Sequence, residues 1–199
     1  MKLLIIRHGE SQADLLDVHE GRADFPLTET GLDQAKKMAN YISDNFNVEL
    51  ILASPLQRAQ KTAEILQDKC YCELIVEPDL MEYNNGVLAG MSRKEAAIKY
   101  PYPKEGRAMH VAIEGGESVI DFRYRVERIL SKIQSEYKED ECIAIVAHGG
   151  TIMNLLNCAM NISLANSIKT FTGDTGIHLI EFKEQDVFIH FLNSTKHLE

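Results

Sequence analysis

Apolar and polar positions form two kinds of stretch along the chain. Short, continuous apolar runs bounded by glycine, proline or charged residues are typical of buried β-strands. Runs of this kind occupy residues 2–6, 49–53, 72–76 and 142–147. Between them, apolar residues recur every three or four positions, which is the spacing of an amphipathic helix. The predicted helices run from Thr28 to about residue 45, from Ser54-Pro55 onward, over residues 118–137, and from Thr151 to about Met160.

Two further apolar stretches, at residues 176–182 and 187–192, are separated by a short polar turn and predict two closing strands. Strands that alternate with helices favour an α/β fold, a three-layer α/β/α sandwich with a mostly parallel central sheet. We expect a single domain over residues 1–199, since this length suffices for one buried core. Residues 83–117 follow neither pattern and contain two prolines and several glycines, so we expect a lid or side wall over the sheet.

Composition narrows the classes of partner and compartment. The net charge of −9 argues against a nucleic acid or an anionic membrane surface as partner. No apolar stretch reaches the roughly 20 residues that span a bilayer, and Met1-Lys2 leads directly into a strand, so we expect a cytoplasmic protein. The four cysteines lack zinc or thioredoxin spacing and are interpreted as reduced packing residues, with a metal site as the second alternative. The sequence predicts no oligomeric state.

Candidate chemistry is concentrated where two apolar runs end. Arg7-His8-Gly9-Glu10 follows the first run, and His148-Gly149-Gly150 follows the run at 142–147. Open α/β sheets hold ligands beyond the carboxyl ends of their strands. Arg58 and Glu82 stand at similar places, beyond a strand or at a helix start. Arginine binds phosphate, a neutral imidazole can attack phosphorus, and a carboxylic acid can protonate the leaving oxygen, so this set of residues suffices for metal-independent phosphoryl transfer.

The chain resembles the histidine phosphatase superfamily, in its phosphoglycerate-mutase-like branch. The resemblance rests on ordered blocks that span residues 3 to about 182. These blocks are Leu4-Ile5-Ile6-Arg7-His8-Gly9-Glu10-Ser11, Asp24-Phe25-Pro26-Leu27-Thr28 with Gly31, Ala53-Ser54-Pro55-Leu56-Gln57-Arg58-Ala59, Leu80-Met81-Glu82, Gly115-Gly116-Glu117-Ser118 with Asp121 and Arg125, and Ala147-His148-Gly149-Gly150. A lone Arg-His-Gly tripeptide is weak evidence, whereas several ordered blocks are strong evidence.

The resemblance implies a phosphoglycerate mutase-like fold and a role for each matching residue. His8 would be the phosphorylated nucleophile and Glu82 the proton donor. Arg7, Arg58 and His148 would form the phosphate pocket. Ser11 and Gly21 match positions that line the ligand site, and Gly149 follows the second histidine, where a backbone amide often faces the phosphate. The resemblance implies neither a metal nor another cofactor.

Four positions depart from the family pattern, and all lie in blocks that surround the site. Asp14 stands where Asn is common, Val18 where Arg is usual, Glu20 where Gln is usual, and Asp174 where Asn is usual. The rim has therefore lost a cation and gained carboxylates. We include Asp14 and Glu20 among the candidate substrate-binding residues. The hypothesis that follows is a substrate with few negative charges beyond one phosphate, with a cationic or hydroxyl-rich remainder.

Several alternatives stay open. The two histidines could be packing residues or metal ligands, although adjacent arginines would repel a cation. Glu77 competes with Glu82 for the role of proton donor, and Ser118 could cap its helix rather than contact a ligand. The leading function is a metal-independent phosphomonoesterase acting on a small phosphorylated metabolite. The alternatives are a phosphoglycerate mutase and a non-catalytic module that binds a phosphorylated ligand or a protein.

Overall fold

A six-stranded sheet forms the centre of the molecule in the computed structural model, which describes residues 1–137, 141–166 and 168–199. The strands are β1 (Lys2–Arg7), β2 (Leu50–Ala53), β3 (Glu73–Val76), β4 (Cys142–Ala147), β5 (Ile177–Lys183) and β6 (Asp186–Ser194). Their order across the sheet is β3-β2-β4-β1-β5-β6. The four strands from β3 to β1 pair in parallel, and the β5–β6 hairpin pairs antiparallel at the β1 edge.

Helices cover both faces of this sheet. They are α1 (Gln12–Leu16), α2 (Glu29–Asn45), α3 (Gln57–Cys70), α4 (Arg93–Lys99), α5 (Val119–Glu136) and α6 (Gly149–Ala159). Because successive strand residues point to opposite faces, Leu3 and Ile5 of β1 pack in one core with α5 and α6, whereas Leu4 and Ile6 pack in a second core with α2 and α3. The predicted α/β/α sandwich with a mostly parallel sheet is therefore confirmed.

Side-chain caps begin two of the long helices, α2 and α5, where the sequence indicates. The Thr28 hydroxyl accepts a hydrogen bond from the backbone N–H of Gly31 and starts α2. The Ser118 hydroxyl accepts from the N–H of Asp121 and starts α5, so Ser118 has the capping role. Two short helices, α1 and α4, are absent from the sequence prediction, because five and seven residues are too few to display a helical period.

Helix α6 starts earlier than predicted, at Gly149 instead of Thr151. Its N-cap is His148, and the carbonyl of His148 accepts from the N–H of Ile152. Two glycines in a first turn disfavour a helix in isolation, but packing against β1 and β4 outweighs their low propensity. The two amides of Gly149 and Gly150 therefore belong to a helix N-terminus, where the N–H groups attract negative charge.

Residues 83–117, called the wall from here on, leave the sheet and return to it at one base. The N–H of Glu117 donates to the carbonyl of Asn84, and the N–H of Val87 donates to that of Glu114. Gly86 has a φ of +52° at this base, and a Cβ there would overlap the backbone of Glu114. The wall contains α4 and a 3₁₀ turn at Gly86–Leu88.

All four cysteines are free thiols, and three of them border the core that α2 and α3 share with the sheet. Burial raises the pKa of Cys142 to about 11, which keeps its thiol in the unreactive protonated form. This agrees with their interpretation as packing residues. Among the residues described, none of the helices combines the length and apolar character needed to cross a membrane.

Candidate active site

The parallel pairing of β1 with β4 brings the two sequence-predicted histidines together. Arg7 is paired with Ala147 at the last position of the ladder, so residues 8 and 148 leave the sheet side by side. The N–H of His8 donates to the carbonyl of Ala147 over 3.1 Å, and the two imidazole rings lie 5.0 Å apart between centroids. The sheet itself thus fixes the distance between these side chains.

The imidazole of His8 is buried and neutral, with a lone pair on Nε2. Its Nδ1 lies 2.7 Å from the carbonyl oxygen of Gly9, which can only accept, so Nδ1 carries the hydrogen. Nε2 accepts from Nε of Arg58 at 3.3 Å. Burial, followed by the positive charges of Arg58 and Arg7, holds the pKa of His8 well below its usual value. The Nε2 lone pair is therefore available at neutral pH.

His148 has a different pattern of partners. Its Nε2 lies 2.8 Å from Oγ of Ser54, which in turn accepts from the N–H of Leu56. The Ser54 hydroxyl can donate to Nε2, and in that arrangement the hydrogen of His148 is on Nδ1. That Nδ1 is buried and has no hydrogen-bond partner among the residues described. Burial and the charge of Arg58 lower the pKa of His148 well below its usual value.

Arg58 is fully buried at the second position of α3, where its guanidinium faces the histidines. Its terminal nitrogens donate to the carbonyls of Ala23 at 3.0 Å and Gly21 at 2.8 Å. Its Nε lies between the imidazole of His8 and the carboxylate of Glu20, whose Oε1 is 3.1 Å away. A buried charge held by two carbonyls and a carboxylate has little freedom to move, so the guanidinium is fixed in position beside His8.

Arg7 supplies the second cation from the end of β1. Its terminal nitrogens donate to the carbonyl of Thr172 at 2.9 Å and lie 3.3 Å from a carboxylate oxygen of Asp174. Its Nε is buried and lacks a hydrogen-bond partner among the residues described. Unpaired buried donors are costly unless a ligand or water satisfies them. Nδ1 of His148 is a second buried nitrogen without a hydrogen-bond partner among the residues described.

Glu82 places its carboxylate at the N-terminus of α6. Its Oε2 accepts from the N–H of Gly150 at 2.8 Å, and its Oε1 accepts from the N–H of Tyr83 at 2.7 Å. A Cβ on Gly150 would lie 2.5 Å from Oε1, so a side chain at this position would displace the Glu82 carboxylate. The competing carboxylate, Glu77, instead caps the 3₁₀ turn that follows β3 and pairs with Lys132.

Three residues that the sequence analysis assigned no site role hold the segment of Glu82 in place. Arg125 is mostly buried and donates to the carbonyls of Met81 at 2.6 Å and Glu82 at 2.9 Å. Glu117 pairs with Arg125 at 2.7 Å, and Arg22 donates to the same Glu82 carbonyl. Glu117 and Arg125 belong to the family-like block at residues 115–125. That block is the signal in the sequence that could have indicated their role.

The rim residues lie on the Arg58 side of the histidines. The Ser11 hydroxyl is 2.6 Å from Oε1 of Glu20 and 3.1 Å from Oδ2 of Asp14, so protein carboxylates already engage it. Asp14 also closes the first turn of α1 by accepting from the N–H of Ser11. Gly21 contributes its carbonyl to Arg58. Burial raises the pKa of Glu20 despite its contact with Arg58.

A cavity of about 490 Å³ opens onto these groups. Of the candidate site residues, its lining includes Arg7, His8, Glu20, Glu82 and Gly149. A loop that the sequence analysis did not select, from Lys169 to Thr172, forms another side. The other candidate site residues do not line this cavity: Ser11, Asp14, Gly21, Arg58 and His148. Within residues 1–137, 141–166 and 168–199 no three histidine, cysteine or carboxylate side chains are grouped as metal ligands.

These features define an α/β protein in which two histidines and two arginines meet at the carboxyl edge of its sheet. We call His8, His148, Arg7 and Arg58 the cradle. The family model of the histidine phosphatase superfamily (branch 1) matches residues 3–195. The chain belongs to this superfamily, which confirms the family predicted from its motifs.

Similar proteins include named phosphatases. An uncharacterized phosphatase PhoE of Bacillus subtilis is 33% identical over 155 residues, which cover 76% of this chain and 74% of that protein. Phosphoserine phosphatase 1 of Hydrogenobacter thermophilus is 27% identical, with 100% and 94% of the chains covered. The solved structure of a putative α-ribazole-5′-P phosphatase from Escherichia coli is 25% identical and superimposes with a TM-score of 0.87 over 98% of this chain and 97% of that one.

Proposed function

We propose that this protein is a metal-independent phosphomonoesterase that works through a phosphohistidine at Nε2 of His8. The observation that carries the proposal is the unprotonated Nε2, buried beside the Nε of Arg58 at 3.3 Å. A neutral imidazole whose cationic neighbours oppose its protonation is a nucleophile at physiological pH. The same neighbours neutralise the phosphoryl oxygens that it attacks.

The steps follow from the donors in the cradle. A phosphate dianion would occupy the cavity with its oxygens on Arg58, Nε of Arg7 and Nδ1 of His148. Nε2 of His8 then forms a bond to phosphorus as the ester oxygen leaves. Glu82, which also lines the cavity, gives its proton to that oxygen. In the second step Glu82 takes a proton from water, the water oxygen bonds to phosphorus, and the P–N bond breaks.

A phosphatase fits the rim better than a mutase does. A mutase retains its phosphorylated form and binds substrates that carry a further anionic group. The carboxylates of Glu20 and Asp174 face the cradle and would repel such a group. The phosphatase names of the relatives from Bacillus and Hydrogenobacter support the same choice. We place this activity in the cytoplasm, and the substrate is a small phosphomonoester.

The test is to trap the intermediate. The protein is mixed with ³²P-labelled p-nitrophenyl phosphate at about pH 6, quenched within milliseconds, and digested to locate the label. We expect an acid-labile, base-stable phosphate on the peptide that contains His8, and no label in His8→Ala. His110→Ala, which removes an exposed histidine of the wall, is the matched control and should label normally.

The outcomes distinguish three classes of protein. Turnover that persists in a chelator and stops in His8→Ala supports the phosphatase. Steady hydrolysis without label on His8 would overturn the mechanism, and turnover lost to the chelator would overturn metal independence. Activity only with phosphoglycerate and a bisphosphate primer would indicate a mutase. Binding of phosphate without any turnover would indicate a non-catalytic module.

A further inference from the structure

A second and larger cavity adjoins the cradle. This cleft, of about 690 Å³, lies between the wall and the loop at residues 19–21. Its volume falls within the range of small-molecule sites, about 300–1,000 Å³. Rings and aliphatic side chains make up much of its lining: Leu88, Ala96, Tyr83, Tyr100, Tyr102 and Val111.

Some of these apolar groups are left in contact with solvent. Tyr102 is 71% exposed and Val111 is 43% exposed, and both belong to the wall. Val119, at the start of α5, adds a third exposed apolar side chain to the lining. Exposed apolar groups gathered around a concave surface mark a ligand-binding groove more often than a feature of stability.

The two arginines in the lining of the cleft already have partners. Nε of Arg93 pairs with Asp17 at 3.1 Å, and the guanidinium of Arg107 lies 5.6 Å from the centroid of the Tyr102 ring. The carboxylates of Glu20 and Glu82 lie at the inner end. At that end a ligand with a further negative charge would meet these carboxylates, whereas an uncharged ring would meet tyrosine faces and aliphatic groups along the wall.

Glu82 and Glu20 line both the cradle cavity and the cleft, so the two spaces meet at these residues. If a phosphate is held in the cradle and Glu82 protonates its ester oxygen, the carbon attached to that oxygen lies at this junction. The remainder of the alcohol then extends into the cleft. This step rests on the proposed function, because it uses the proton transfer from Glu82.

We propose that the cleft binds the leaving alcohol, and that this alcohol is uncharged and carries an apolar or aromatic ring. The proposal keeps one part of the hypothesis drawn from the rim carboxylates, that the substrate has few negative charges beyond its phosphate. It changes the other part: the remainder of the substrate is an uncharged ring and not a cationic or hydroxyl-rich group. The residues that select this alcohol are in the wall, chiefly Tyr100, Tyr102 and Val111.

The experiment compares phosphate esters of primary alcohols, whose leaving oxygens have similar basicity. 2-Phenylethyl phosphate tests the ring against ethyl phosphate, phosphoserine and glycerol 1-phosphate. Burying a phenyl ring in the cleft should raise kcat/KM by about 30-fold over ethyl phosphate. Phosphoserine and glycerol 1-phosphate should gain no such advantage, since their polar groups are not matched by the tyrosine and aliphatic lining.

A pair of variants locates the preference. Val111→Asp introduces a charge on the apolar lining, and the ratio of kcat/KM between the phenylethyl and ethyl esters should fall by about tenfold. Ile98→Asp is the matched control, because Ile98 is 74% exposed on the same wall but does not line the cleft. The ratio should keep its wild-type value in this control. Thermal unfolding of both variants checks that each is folded.

The outcomes separate the two proposals. If none of these esters nor p-nitrophenyl phosphate is hydrolysed, the proposed function fails. If the esters are hydrolysed but the phenylethyl to ethyl ratio is near one, the cleft proposal fails and the phosphatase stands. A clear preference for phosphoserine would also overturn the cleft proposal, as would an equal fall of the ratio in Val111→Asp and Ile98→Asp.

Discussion

The cradle and the wall are held in place by different kinds of interaction. His8 and His148 follow directly from paired strands and are almost fully buried, and Arg58 is fixed by backbone carbonyls. The wall has one seven-residue helix and one 3₁₀ turn, and exposes large apolar residues such as Tyr102. The cradle belongs to the core of the protein, whereas the wall is held by backbone hydrogen bonds at its base and between residues 90–93 and residues 17–19.

This difference separates chemistry from selectivity. A change in the cradle disturbs groups whose hydrogen-bond partners are buried, so we expect losses of both activity and stability. A change on the wall alters exposed side chains, so we expect altered preferences among substrates with modest effects on stability. The predictions below test this division, starting with the cradle.

The largest effect is expected from Arg58→Met. The variant removes the cation that contacts His8 and leaves the carbonyls of Gly21 and Ala23 without their donor. We expect kcat/KM for p-nitrophenyl phosphate to fall by about 10³-fold, as is typical when an arginine that stabilises phosphoryl transfer is lost. Steady-state kinetics measure the loss, and thermal unfolding should show a lower midpoint as well.

Two further variants test whether this loss comes from the guanidinium of Arg58. Arg58→Lys keeps the positive charge without the planar fork and should recover only part of the activity. Lys104→Met removes an exposed cation of the wall and should leave kcat/KM within about twofold of wild type. Equal losses in Arg58→Met and Lys104→Met would contradict the division between cradle and wall.

The stability of the protein in acid should depend on a buried histidine of β5. His178 of β5 is fully buried; its Nδ1 accepts from the N–H of Asn193 and its Nε2 contacts the hydroxyl of Thr172. Burial lowers the pKa of His178 from 6.5 to about 4. Between these two values the unfolded chain holds a proton at this residue that the folded chain lacks. The contribution of neutral His178 to the free energy of unfolding is therefore fully present above pH 6.5 and is lost as the pH falls towards 4.

The size of this loss is about 3 kcal/mol, from a shift of between two and three pKa units. Urea unfolding at several pH values measures it. His178→Asn lowers stability at every pH because the site is buried, so the informative quantity is the slope of stability against pH, which should decrease by about one proton. An undiminished slope would exclude His178 as a source, and His110→Gln should keep the wild-type slope.

The N-terminus of α6 offers a matched pair of glycines. A methyl group on Gly150 would collide with the carboxylate of Glu82, whereas one on Gly149 meets nothing within 4 Å. We therefore expect Gly150→Ala to lower kcat by about 10²-fold by displacing the proton donor. Gly149→Ala should have a clearly smaller effect. If the two variants are equally impaired, the loss comes from the helix start and not from the position of Glu82.

Much of this organisation could be predicted from the sequence, for physical reasons that differ by region. Apolar runs indicate buried strands, and parallel strands must end at one edge, which brings His8 near His148. The role of Arg125 was missed because an arginine on an amphipathic helix is usually exposed, and only the folded chain shows it bound to the carbonyl of Glu82. The cleft could not be predicted from the sequence either, because its lining depends on how the wall folds back on itself.

The smallest effect concerns the border of the two regions, at Glu20. Its carboxylate competes with a bound phosphate for Nε of Arg58 and lines both cavities. Glu20→Gln keeps the shape and removes the charge, so inorganic phosphate should inhibit about tenfold more strongly, as expected when one nearby like charge is removed. Glu105→Gln, an exposed change on the wall, is the control. Inhibition constants for phosphate measure the effect across a pH series.

The pH series gives the sharper form of this prediction. Burial raises the pKa of Glu20, so wild type loses this negative charge earlier on acidification than an ordinary glutamate does. The advantage of Glu20→Gln should therefore be largest at neutral pH and shrink as the pH falls, until wild type and variant bind phosphate alike. A difference that stays constant with pH would mean that the carboxylate acts through packing and not through its charge. Glu20 would then be grouped with the wall residues, which affect the preference among substrates. Arg58 would be the last residue on that side whose charge takes part in the chemistry.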